Sequence, residues 1–134
     1  RKKMKYLTLL LTAIMATGPA FAEGPKQVTT YGIHLYFNEK EFVDVMTLEK
    51  TASGELSGSM HVPDDFDGEL TNLKLDHQNL VFDLLVPKNS SRPQDLVFHY
   101  EGRFFDASKK QLIGFVTIKD GSDFVASFVG FQRN

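Results

Sequence analysis

From Gln27 to Asn134 the chain alternates apolar and polar residues with a period of two, broken by short clusters of Gly, Asp, Asn and Ser. Side chains of an extended strand point alternately to its two faces, so this period predicts strands with one buried face. Eight follow in order: Val28–Phe37, Phe42–Glu49, Glu55–Val62, Glu69–Leu75, Leu80–Val86, Leu96–Phe105, Gln111–Ile118 and Asp123–Arg133. No stretch of ten or more residues after Ala22 carries helical periodicity. The clearest unit is Tyr100 to Ile118, a strand, the polar turn Asp106 to Lys110, and a second strand with Leu112, Gly114, Val116 and Ile118 in phase.

Every connection is short, which favours pairing between sequence neighbours and leaves no long crossover for a Greek key. Eight strands suffice to close a small barrel and remove its edges. The expected fold is therefore all-β, an eight-stranded antiparallel up-and-down barrel, with a β-sandwich as the alternative. Mid-strand glycines at 58, 102, 114 and 130 mark where a closing sheet bends or another backbone comes near. Two segments share the form L-x-G-x-h-x-h, where h is apolar: Leu56 to Val62 and Leu112 to Ile118. Recurring bending requirements explain that similarity.

Residues 1–22 are expected to form a secretory signal helix, and 23–134 a single barrel domain. Arg1, Lys2, Lys3 and Lys5 supply a positive start, Leu7 to Met15 an apolar core, and Ala20-Phe21-Ala22 a small-x-small cleavage pattern. The apolar core is shorter than the ~20 residues a membrane-spanning helix needs, although a retained N-terminal anchor is the alternative. Cleavage after Ala22 leaves 112 of the 134 residues, with 11 of the 15 Lys and Arg against 17 Asp and Glu, a net charge near −6. That acidity argues against nucleic-acid and anionic-membrane partners, and no membrane span is expected after cleavage. Cysteine is absent, so disulfides and thiolate metal sites are excluded. The expected location is a bacterial periplasm or the medium.

The G-x-F, acidic turn and L-x-G sequence from Gly102 to Gly114 resembles small exported bacterial barrels of lipocalin-like, or calycin-like, type. The G-x-W motif of lipocalins is represented only by Gly32, in Tyr31-Gly32-Ile33-His34, and no functional residue is carried over. The resemblance implies a binding barrel.

Chemistry is sparse. His61 with Asp64, Asp65 and Asp67 offers a divalent cation one nitrogen and several oxygens, but a solvated acidic turn explains the same residues. Asp65-x-Asp67-Gly68 begins like a calcium loop, yet Asp76 stands where the bidentate Glu would be needed. No metal or other cofactor is assigned. No serine sits in a G-x-S-x-G elbow, no phosphate loop is present, and His99 with Glu101 reads as an outward polar row. No catalytic residue is assigned and an enzyme is not expected.

Two surfaces remain. Alternate loops of an up-and-down barrel share a rim, which gathers Asn38–Lys40, Pro63–Gly68, Pro87–Asp95 and Lys119–Ser122. Phe66 among Asp64, Asp65 and Asp67, facing Lys88 and Arg92, makes this rim the candidate mouth. A small apolar ligand is expected there or in the barrel interior, unless Phe66 plugs the end and the inward phenylalanines fill the interior. With Leu80, Phe82, Leu84, Phe98, Tyr100, Phe104, Val116, Phe124 and Phe128 taken as inward, an apolar outer wall is left over. It comprises Val81, Leu85, Val97, Phe105, Ile113, Phe115, Val125, Val129 and Phe131. Such a wall suits a protein partner or a homodimer, with Val97, Ile113, Phe115, Val125, Val129 and Phe131 as the contact residues.

Overall fold

The computed structural model describes residues 24–134; the expected signal segment lies outside the described residues. Eight strands are formed: β1 Gln27–Phe37, β2 Lys40–Lys50, β3 Leu56–Val62, β4 Phe66–Asp76, β5 Asn79–Val86, β6 Leu96–Phe104, β7 Gln111–Ile118 and β8 Val125–Arg133. Each pairs antiparallel with the next, and β8 returns to β1 (Leu35 opposite Phe128), so the sheet closes into a barrel. The barrel expectation holds and the sandwich alternative falls, because closure leaves no second sheet. No helix occurs among the described residues.

The period-two faces sort as the pattern requires. Tyr31, Ile33 and Leu35 of β1, Leu80, Phe82 and Leu84 of β5, Tyr100 and Phe104 of β6, and Leu112 and Val116 of β7 all point inward and are buried. Phe82 stacks on Tyr100 at 4.5 Å between ring centroids, and Phe128 meets Tyr100 edge-on at 5.6 Å. Offset aromatic pairs of this kind add ~1 kcal/mol beyond area burial. The end that holds the β2–β3, β4–β5 and β6–β7 turns carries a smaller, more polar cavity of about 380 Å³ over Tyr31, Leu48, Leu56, Leu75 and Phe104. There Tyr31 lies 5.7 Å from Phe104 and donates its hydroxyl hydrogen bond to the Lys109 carbonyl at 2.8 Å.

Local chemistry sets the turns. Asn38 and Glu39 both have positive φ, 52° and 63°, the backbone of a two-residue hairpin turn whose twist matches the flanking strands. The recurrent L-x-G segments share one geometry. A Cβ on Gly58 would meet the Thr47 carbonyl oxygen at 2.8 Å, and one on Gly114 would run into the Glu101 carbonyl oxygen. In each case the glycine lets one strand sit unusually close to its predecessor, which bends the wall.

Strand boundaries shift from the sequence expectation by one or two residues at several ends, and by three at the start of β4. The acidic loop read as Pro63–Gly68 is a tight turn of Pro63, Asp64 and Asp65, with Asp64 at φ 63°, and β4 already begins at Phe66. Pairing explains the shift: Phe66 lies opposite Val62 and Gly68 opposite Met60, so the ladder continues through residues whose polarity suggested a loop. Farther along, the β4–β5 register slips between Thr71 and Lys74, where Asn72 adopts φ 50°. This is a bulge, and it is held from outside the barrel by Asp83.

Candidate functional site

The end that holds the β1–β2, β3–β4, β5–β6 and β7–β8 connections is open and apolar. Five inward aromatic rings wall it: Phe37 at the end of β1, Phe42 in β2, Phe66 opening β4, Phe98 in β6 and Phe124 just before β8. Phe124 bridges two others, 4.5 Å from Phe37 and 6.0 Å from Phe98. With Leu35, Val62, Leu84, Val86 and Ala126 they enclose a mouth of about 550 Å³, a size that accommodates a small organic molecule. Phe82, Tyr100, Phe104 and Phe128 fill the middle of the barrel, and this end carries the larger and more apolar of its two openings.

Two polar groups, Asp44 and Tyr100, stand at the floor of this mouth, and Glu41, Asp65 and Arg92 stand at its lip. Asp44 of β2 follows the inward phase of Met46 and Leu48 and is 6 % exposed. Tyr100 of β6 is 2 % exposed. Among the described residues no hydrogen bond or ion pair reaches either the Asp44 carboxyl or the Tyr100 hydroxyl. Burial pushes the Asp44 carboxyl up to about 6; nearby His61 pulls it down and Asp65 pushes it up by smaller amounts. Burial also pushes the Tyr100 phenol up, and the neighbouring Asp44 charge adds to the effect. A buried carboxyl is normally satisfied by hydrogen bonds or a counter-ion, since desolvation without one is costly.

At the lip, Arg92 spans two connections. Its Nη2 donates to Asp65 Oδ2 at 3.2 Å and to the Pro87 carbonyl at 2.5 Å, and its Nε donates to the same carbonyl at 2.9 Å. Asn89 Nδ2 adds a bond to Asp65 Oδ1 at 3.2 Å. The β3–β4 turn is thereby tied to the β5–β6 loop beside the opening.

Of the rim residues singled out in the sequence, Phe66, Asp65 and Arg92 line the mouth. Phe66 is half-buried against the core and forms wall rather than plug. Asp64, Asp67 and Lys88 do not line it. Asp67 instead faces outward, with Oδ1 at 2.5 Å from His61 Nδ1, because Phe66 and Gly68 take the inward phase of β4. The backbone N–H of Lys88 donates to Asp95 Oδ1 at 2.8 Å, closing its own loop. Among the described residues no group of three or more His, Asp or Glu is placed to hold a metal ion.

On the outer wall, Phe115 is 61 %, Val125 55 %, Ile113 48 % and Phe131 44 % exposed, while Val97 and Val129 are half-buried. Ile113 lies opposite Val129 in the β7–β8 ladder, and Thr117 opposite Val125. Glu101 and Arg103 of β6 border the strip, opposite Phe115 and Ile113. His99, read as part of an outward polar row, bridges Asp83 at 2.7 Å and Glu101 at 3.0 Å on the outside, away from the mouth.

Sequence reasoning passed over Asp44. The signal was available in Phe42-Val43-Asp44-Val45-Met46-Thr47-Leu48, where an aspartate keeps step with the three apolar residues of one face. No family model, curated protein or solved structure matches this chain.

Proposed function

We propose that the protein is a non-enzymatic, exported binding protein of lipocalin-like kind that takes a small apolar ligand into the open end of its barrel. The observation that carries this reading is the 550 Å³ mouth walled by five phenylalanines above a packed core. An apolar opening of this size forfeits packing contacts that an apolar occupant would restore. Titration with N-phenyl-1-naphthylamine, a neutral dye that brightens in apolar surroundings, tests it. Saturable, one-to-one enhancement that weakens several-fold in Phe42→Ser supports the reading, and absence of saturable binding ends it. Phe42 is chosen because it is already 51 % exposed, so its loss spares the core.

A second reading, a protein–protein module that forms a homodimer through its outer wall, rests on the strip of Ile113, Phe115, Val125 and Phe131. Light scattering behind size exclusion tests it. A dimer mass that reverts to monomer in Phe115→Glu supports the reading; a monomer at millimolar concentration removes it.

A further inference from the structure

The floor of the mouth has a chemistry that its walls do not share. Asp44 is 94 % buried, 6 % of it remaining exposed, and it is aimed into the cavity with no partner among the described residues. The groups around it do not neutralise it. Its cross-strand neighbour on β1 is Ile33, which is apolar and fully buried. His61, on β3, faces outward and is occupied by Asp67. Asp65 at the lip carries the same charge as Asp44 and is held by Arg92. Glu41, also at the lip, accepts hydrogen bonds from His34 Nδ1 at 2.7 Å and from Tyr36 at 3.1 Å. The Tyr100 hydroxyl is the remaining polar group of the floor, and it too is unpartnered.

We propose that this floor receives the cationic head of an amphipathic amine, with the Asp44 carboxylate as its counter-ion, the Tyr100 hydroxyl as a hydrogen-bond acceptor, and the aromatic mouth around its apolar tail. A protonated amine brings both the opposite charge and the donors that the floor lacks. A carboxylate ligand would place a second negative charge against Asp44, and an alcohol would leave its charge uncompensated. Desolvated ion pairs with satisfied hydrogen bonds are stronger than exposed ones, and aromatic faces add cation–π attraction. The chemistry has a proton-linkage signature. Burial holds the Asp44 carboxyl at about 6, so a bound cation favours its ionised form and drives out its proton.

The inference rests on the mouth being a ligand site, and its test separates the two. Octylamine, octan-1-ol and octanoate compete for the bound naphthylamine dye at pH 7.5; the amine is fully charged there, as its ammonium loses its proton only near ~10.4. Octylamine is expected to bind about ten-fold tighter than octanol, and octanoate weaker than either, in line with a ~1.4 kcal/mol charge contribution. In Asp44→Asn the ten-fold margin disappears while octanol binding stays; in Tyr100→Phe it shrinks a few-fold. At pH 5, where Asp44 holds its proton, the margin also disappears. Calorimetry near pH 6 in buffers of different ionisation enthalpy shows about half a proton released per amine bound. If octanol displaces the dye but octylamine binds no tighter, or keeps its margin in Asp44→Asn, the head-group site is wrong and the apolar mouth stands. If the dye itself does not bind, both fall together.

Discussion

Asp44 and Asp83 are both buried carboxylates in the same barrel wall, 6 % and 3 % exposed, yet they face opposite sides of it. Asp44 points inward and has no partner among the described residues. Asp83 points outward and accepts from Asn72 Nδ2, His99 Nδ1 and Lys119 Nζ at 2.8, 2.7 and 2.8 Å. Burial raises the proton affinity of each, but at Asp83 the three donors and the Lys119 charge outweigh it and bring the carboxyl down to about 2. The pair therefore pulls stability in opposite directions as pH changes.

For Asp44 the folded value of about 6 lies above the ordinary 3.8, so the folded chain holds the proton more tightly than the unfolded one. Stability is at its full value below about pH 4 and falls as pH rises through about 6, by at most ~3 kcal/mol. Asp44→Asn removes the ionisable group. The variant is expected to be more stable than the parent by ~1–2 kcal/mol at pH 7.5, the buried amide retaining some desolvation cost, with the gain gone by pH 4. Urea melts at both pH values check this; a loss of stability at pH 7.5 would show that Asp44 already has a partner.

For Asp83 the sign reverses. The folded value of about 2 lies below 3.8, so its contribution is present above about pH 4 and is lost as pH falls through about 2. The same linkage gives ~2 kcal/mol. Asp83→Ala is expected to cost about that much at pH 7 and much less at pH 2. Because Asn72 sits at the β4–β5 bulge with φ 50°, amide exchange should quicken first between Thr71 and Lys74. Unchanged exchange there would mean the bulge holds itself.

Most of the architecture was legible because each strand buries one face, and a period of two survives wherever that is so. Tyr31, Ile33 and Leu35 alternate with more polar neighbours. Strands β5 to β7 are instead apolar on both faces, and closure of the barrel is what turns Leu80, Phe82 and Leu84 inward and leaves Val81 and Leu85 outside. The start of β4 was not legible, since Phe66-Asp67-Gly68 has turn composition and becomes strand only by pairing with β3. Alternate loops do share an end of the closed barrel, where Phe66, Asp65 and Arg92 line the opening while Asp64, Asp67 and Lys88 do not. Its floor was missed because an aspartate in a strand is ordinarily assigned to the solvent face. Whether the phase of Phe42, Met46 and Leu48 overrides that habit depends on closure of the barrel, a long-range fact.

The bend between β6 and β7 depends on two glycines facing each other, Gly102 and Gly114. A methyl group on Gly114 would collide with the backbone at Glu101 and Gly102, which cannot rotate away. Gly114→Ala is expected to cost ~3 kcal/mol or more, at the upper end of overpacking substitutions. Gly121→Ala serves as the comparison: its methyl meets nothing within 4 Å, and the cost is confined to the positive φ of 83°, ~1 kcal/mol. Denaturant midpoints that rank the two the other way would show that the β6–β7 wall can spread.

Arg92 joins the β3–β4 turn to the β5–β6 loop through Asp65 and the Pro87 carbonyl, so it ties together two of the connections that border the mouth. An ion pair at the lip is worth little to global stability, and Arg92→Ala is expected to cost under ~1 kcal/mol. Its effect belongs to kinetics. With the two connections untied, a ligand leaves through a wider and more mobile opening, and the dissociation rate of the naphthylamine dye should rise several-fold with a smaller change in association. Added salt should speed release from the parent by weakening the Arg92–Asp65 pair, while leaving the variant, which has no pair to screen, unaffected. Stopped-flow displacement at low and high ionic strength measures both. Equal release rates in parent and variant would mean that the Asn89 contacts, to Asp65 and to the Arg92 backbone, hold the loop unaided and that the lip does not govern escape.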